Sequence, residues 1–301
     1  MVRLLSLAFI CSGLSMGAIA QLTQLKNQFT VANQANYEKV VLSMTAKTGN
    51  CFIRSGHKPD ILNIYSNLQP EDYRHTFSTE VTDGLCQIRL VLEQEDQSGI
   101  GKKFSDKVWG GQEKNVEKFW RVFLTNSKPF SLNFENGLGD TNIDLAGLSV
   151  SKLKVNTGSA NVNIFYGVPM QNKVDMDTFF VKVDIGSLRA RNISMSKSKT
   201  IIADIGFGNA FLDFSDASDI SRNVIGSVGA GDLVILLPYN EVPIFVKVSD
   251  SFLCNVNLSK SLKKVGENTF ATASYTADAK NALTFDLDVS WGKIVFKEKD
   301  H

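Results

Sequence analysis

Ile201-Ile202-Ala203-Asp204-Ile205-Gly206-Phe207-Gly208-Asn209-Ala210-Phe211-Leu212-Asp213-Phe214 is the stretch whose reading decides the fold. Before Gly206, Ile201, Ala203 and Ile205 occupy every second position. After it, Gly208, Ala210, Leu212 and Phe214 continue in the same phase. A period of two means a strand with one face turned to a core, so the segment reads as strand, glycine corner, strand.

The same unit recurs. Aligned on Gly137, Gly158, Gly186, Gly206 and Gly229, at a mean spacing of about 23 residues, the flanking positions fall into columns. Five residues before each glycine stand Leu132, Leu153, Val181, Ile201 and Val224, and four after stand Thr141, Val162, Ala190, Ala210 and Leu233. Asn192 and Ser194 interrupt the pattern, which predicts a bulge there. A unit of this length cannot bury its own inner face, whereas stacking on like units at about 4.8 Å covers it. The fold class predicted is all-β, a single-stranded parallel β-solenoid with glycine corners at Gly137, Gly158, Gly186, Gly206, Gly229 and Gly292. An antiparallel sandwich also shows alternation and turn glycines, but does not require matched columns at near-constant spacing.

Weaker copies flank the regular ones. Gly49 is preceded by Met44 and Ala46 and followed by Cys51 and Ile53; Gly292 is preceded by Leu287 and Val289 and followed by Ile294 and Phe296. The organisation expected is a signal peptide over 1–20, a mobile lead-in over 21–40, and a solenoid domain over 41–301. Its irregular coils are 41–130, its regular coils 131–250, and its terminal cap coil 251–301. Strands are predicted at Ile61–Tyr65, Gln87–Leu92 and Trp120–Leu124, with an exposed polar loop from Glu93 to Lys118.

Arg3, the apolar run from Leu4 to Ile10 and the small residues ending Ala18-Ile19-Ala20 have the order of a cleavable secretory signal. The run is too short and too diluted by serine and glycine for a span, so no stable membrane span is expected after cleavage. Cys11 raises lipidation, but Ile10 stands where a small residue is needed. The chain of 301 residues carries 32 basic and 31 acidic side chains, a formal charge of +1, and so has no long-range field for nucleic acid. Cys51, Cys86 and Cys254 remain after cleavage; an odd count is no disulfide framework, and a Cys51–Cys86 bridge is the minor alternative to buried thiols. An extracytoplasmic bacterial protein is expected, periplasmic or at the surface.

Several motifs carry a family resemblance: Trp120-Arg121-Val122-Phe123-Leu124, Gly137-Leu138-Gly139-Asp140, Leu153-Lys154-Val155-Asn156-Thr157-Gly158, Asp204-Ile205-Gly206-Phe207-Gly208-Asn209 and Gly229-Ala230-Gly231-Asp232-Leu233. From about Val40 to Phe296 the chain resembles the toast-rack β-solenoid family, related to adhesin-like domains of unknown function and to the extracytoplasmic part of LiaF-like envelope-stress regulators. The resemblance implies a fold and an envelope setting, and it carries over no catalytic residue.

Candidate chemistry is sparse. Asp184 and Asp204, both two residues before a corner, would lie about 5 Å apart if their coils stack directly, and calcium could bridge them; solvated carboxylates or caps on turn amides are the favoured reading. With two internal histidines and no G-x-S-x-G or H-E-x-x-H, common hydrolase templates fail, and no cofactor is expected. The G-x-G pairs lack a following helix to aim amides at phosphate. Trp109 in the polar loop is either a contact residue or a cap on the core. The expected function is a non-enzymatic, adhesin-like binding module for a protein or glycan of the cell envelope. An envelope-stress regulator or scaffold acting through a protein partner is the alternative, and a polysaccharide-active enzyme a second one.

Overall fold

A computed structural model describes residues 25–68, 73–94, 118–216, 219–238, 242–249 and 251–299. The signal sequence and Trp109 lie outside them. In chain order the strands are β1 (Lys26–Val31), β2 (Lys39–Thr48), β3 (Asn50–Ser55), β4 (Leu62–Ser66), β5 (Tyr73–Thr82), β6 (Leu85–Gln94) and β7 (Phe119–Leu124). They continue as β8 (Phe130–Leu138), β9 (Thr141–Asp144), β10 (Val150–Ser159), β11 (Val162–Phe165), β12 (Met176–Ile185), β13 (Leu188–Ala190), β14 (Ser198–Phe207), β15 (Ala210–Asp213) and β16 (Arg222–Leu237). The last are β17 (Ile244–Val248), β18 (Cys254–Asn257), β19 (Lys263–Gly266), β20 (Thr269–Ala271) and β21 (Leu283–Glu298). All join one 21-stranded sheet. Among the described residues no helix is long and apolar enough to cross a membrane.

Each regular rung has two limbs. The first limbs, β8, β10, β12, β14 and β16, pair in parallel and in chain order, and so do the second limbs, β9, β11, β13, β15 and the end of β16. The limbs face each other across the interior: a Cβ built on Gly226 in one would meet Leu233 Cδ2 in the other at 3.2 Å. The alternation read from the sequence fills the space between them, with Leu132, Leu153, Ile201, Val224, Val162, Leu212 and Ile235 all buried. Each such side chain contributes roughly 1.5–3 kcal/mol of burial.

The ends depart from chain order, and the sheet is solenoid-like but mixed, not wholly parallel as the sequence suggested. β2 lies between β6 and β8, and β3 between β7 and β9, all parallel. Antiparallel pairs then close the stack: β5 on β6, β4 on β7 and β1 on β4 at one end, β20 on β17 and β19 on β20 at the other. β21 is not the outermost coil. It pairs along its length with β16, and β17 and β18 lie on its far side, so the outer cap is built from residues 244–271. The expected lead-in instead contributes β1, with Phe29, Val31 and Tyr37 buried. The bulge expected at Asn192 is a 3-10 turn, Ile193–Ser196, flanked by left-handed Asn192 and Lys197; it drops Ile193 into the core.

Candidate binding face

The bend between limbs is built from two adjacent columns of residues, not one. Lys47, Gly137, Gly158, Asp184, Gly206 and Gly229 form the first; Gly49, Gly139, Ala160, Gly186, Gly208, Gly231 and Gly292 form the second. Gly186 and Gly292, aligned from sequence with Gly137, Gly158, Gly206 and Gly229, therefore sit one column over. In the second column successive backbones nearly touch: a Cβ on Gly208, at φ +140°, would lie 1.6 Å from the Gly186 carbonyl oxygen. No side chain fits at Gly208. The residues just beyond form an amide-capturing ladder, in which Asn50 Oδ1 accepts from the Asp140 N–H at 2.8 Å, Asp140 Oδ1 from Asn161 N–H at 3.0 Å, and Asn209 Oδ1 from Asp232 N–H at 2.9 Å.

This register separates the two acids considered for calcium. Phe179, not Val181, pairs with Leu153 and Ile201, so the cross-strand partner of Asp204 is Lys182. Asp184 lies 3.7 Å from Lys182 Nζ and level with Gly206. The like-charge contact that would have called for a cation does not form, and among the described residues no group of three or more His, Cys, Asp or Glu could hold a metal.

Cys51, Cys86 and Cys254 are free thiols, so the Cys51–Cys86 bridge is not formed. Cys51 points inward, and burial pushes its pKa up to about 12, leaving an inert core thiol. One ionisable pair, Arg222 and Tyr166, is buried. Arg222 donates from one terminal nitrogen to the Ser194 carbonyl, while its Nε and other terminal nitrogen find no acceptor among the described residues; the buried Tyr166 hydroxyl likewise has no partner among them. Desolvation pulls the Arg222 pKa down to about 10 and pushes the Tyr166 phenol up.

The outward face of the second limbs gathers residues that sequence reading did not. Arg54 stacks on Phe123 at 4.9 Å, Arg121 on Phe119 at 5.0 Å, Arg191 on Phe165 at 5.1 Å and Arg189 on Phe211 at 5.5 Å. All four arginines are exposed, and none is in an ion pair with a described residue. The acids of this face are committed elsewhere: Asp144 accepts from the Ala146 and Gly167 amides at 3.0 and 2.9 Å, and Asp213 from the Ser215 amide at 2.9 Å. A depression of about 320 Å³ opens here, lined by Phe52, Arg54, Arg121, Phe123, Asp144 and Phe165 among others. A guanidinium over an aromatic ring keeps its charge and its N–H donors, a chemistry that suits carboxylate, phosphate or sulfate groups. The only hint in the sequence is the two-residue spacing of Phe52 and Arg54, Phe119, Arg121 and Phe123, and Arg189 and Arg191, which puts each set on one strand face. The first limbs carry a second, polar hollow of about 500 Å³ lined by Ser43, Thr45, Gln87, Arg89, Glu135 and Lys154 among others.

Comparison with solved structures finds the crystal structure of a "putative cell adhesion protein" from Clostridium sporogenes, with a TM-score of 0.42 and 16% identity over 92% of this chain and 100% of that one. Comparison with curated proteins finds no match. Residues 20–186, more than half of the sequence, match the family described as the N-terminal domain of toast_rack, DUF2154, and they include the strands β3, β7, β9 and β11 that build or border the arginine face. The chain belongs to that toast-rack family.

Proposed function

We propose that this protein is a non-enzymatic binding domain of the bacterial cell envelope, exported and released from its signal after Ala20, and that it holds an acidic glycan against the arginine–phenylalanine face. The fold behind this reading is a parallel β-solenoid sealed at both ends by antiparallel strands. The observation that carries it is the set of four stacked, exposed guanidinium groups whose neighbouring carboxylates are spent on backbone amides. Net charge is close to zero, but the positive charge is concentrated locally, and local charge governs contact with a polyanion inside a Debye length of about 8 Å. Aromatic rings beside the cations offer apolar surface to sugar faces. The family match begins at residue 20, where the small-residue cleavage site ends, which agrees with export. The adhesion role named for the Clostridium sporogenes protein is of the same kind.

The test is calorimetric titration of the mature chain with anionic and neutral cell-wall polysaccharides at low and moderate salt. Binding to the anionic polymers alone, weakened by salt and lost in Arg54→Ala/Arg121→Ala/Arg189→Ala/Arg191→Ala, is the expected result. Equal binding to neutral polymers, or full retention by the quadruple variant, overturns the reading.

A further inference from the structure

At the bend between limbs, two successive residues on each rung face outward before the alternation resumes. The second of them forms a row along the stack: Leu138, Ser159, Ile185, Phe207, Ala230 and Trp291, each in register with the next. Leu253 extends it, since its carbonyl accepts from the Gly292 N–H and its neighbour Cys254 pairs with Gly292. Leu138 is 55% exposed, Ile185 57%, Phe207 67%, Trp291 67% and Leu253 62%. Beside the row runs the first bend column, whose four glycines leave flat backbone on either side of Asp184 and let an apposed surface approach closely there.

The five large side chains expose on the order of 700 Å² of apolar surface. That exceeds the roughly 300–600 Å² of the largest patch on an ordinary monomer and approaches the roughly 800 Å² that each partner contributes to a standard interface. The row is also symmetric in side-chain size. Over its six central positions, from Leu138 to Trp291, it runs large, small, large, large, small, large, and the reverse reading is the same; Thr48 before them and Leu253 after them fall outside this symmetry. A two-fold axis between the rungs of Ile185 and Phe207 therefore matches Leu138 with Trp291 of a second copy, Ser159 with Ala230, and Ile185 with Phe207. The flanking charges mostly agree. Asp140 meets Lys293 and Lys182 meets Asp204, while Glu135 and Asp288 form a like-charged meeting at the outer rim. An isologous contact needs this self-complementarity, and a heterologous partner has no use for it.

We infer that the row is an antiparallel homodimer interface, in which two stacks lie side by side along their glycine bends. It leaves the arginine face of each copy open, so the pair presents two such faces to a polymer. Sedimentation velocity of the mature chain from about 1 to 200 μM tests it. The expected result is a reversible monomer–dimer equilibrium that stops at two. Phe207→Asp/Trp291→Asp should raise the dissociation constant at least 100-fold with an unchanged thermal midpoint, since both side chains are exposed. Lys293→Glu should raise it several-fold, and Val265→Asp, an exposed apolar residue on the cap away from the row, should not change it. A wild-type chain that is monomeric throughout, growth past two, or a dimer that survives Phe207→Asp/Trp291→Asp overturns the inference.

Discussion

The middle of the molecule and its two ends solve the same problem differently. From β8 to β16 each rung rests on the one just before it in sequence, so the register of one strand dictates that of the next, and burial repeats without interruption. At the ends there is no further rung, and an open parallel edge would invite pairing with another chain. The protein closes those edges with strands borrowed from elsewhere and run antiparallel. Two of the closing strands are polar: β5 reads Tyr-Arg-His-Thr-Phe-Ser-Thr-Glu-Val-Thr and is exposed after its first residue, apart from Phe77, and β19 is Lys-Lys-Val-Gly. Regularity thus carries the core, and irregularity protects the edge.

That contrast can be broken at several points. Gly208→Ala puts a methyl group onto the Gly186 carbonyl inside the stack and should cost upwards of 4 kcal/mol or abolish folding. Gly84→Ala, at φ +74° in the β5–β6 turn with nothing within 4 Å, should cost about 1 kcal/mol. Urea unfolding of the pair measures the difference, and equal losses would mean the two regions are held by the same constraint. A smaller gap is expected for cavities: Leu153→Ala in the middle should lose about 3–4 kcal/mol and Leu262→Ala in the cap about 2.

Arg222, at the junction of the regular stack with β21, sharpens the comparison further. It is a buried cation in no ion pair with a described residue, so Arg222→Met should stabilise by about 1 kcal/mol in the same unfolding experiment. A loss of that size would show instead that the guanidinium ties the end to the middle through Ser194. The smallest effect is at Glu298. Hydrogen bonding from Ser261 holds its pKa below the usual 4.5, so the ionised form favours the folded state. That contribution is present above the ordinary carboxylate range and disappears as pH falls through the depressed value. Glu298→Gln should melt about a degree or less below wild type at pH 7, and level with it near pH 3, by calorimetry.

The columns of the core were legible because strand alternation needs only neighbouring residues, and Leu132, Leu153, Ile201 and Val224 do share a row. The placement of Val181 failed by two positions for a definite reason. Each bend has two consecutive sites that want glycine, two residues apart, and Gly137/Gly139, Gly206/Gly208 and Gly229/Gly231 fill both. Gly158 fills only the first and Gly186 only the second, so aligning them swaps Val181 for Phe179, a residue of the same face. The order of the end rungs was illegible because β2 and β21 find their places through partners far away in sequence. The arginine face shares that cause. Its residues come from β3, β7, β13 and the residue after β13, and only stacking makes them neighbours.

The seating of β21 between β16 and β17 also fixes an order of events. A chain emerging from its amino end can lay down rungs one by one through β16, but β17 and β18 lack their parallel partner until the last strand has been delivered and has docked. Until then the growing end offers a bare row of peptide groups along β16, and the final sixteen-residue strand is the bolt that shuts it.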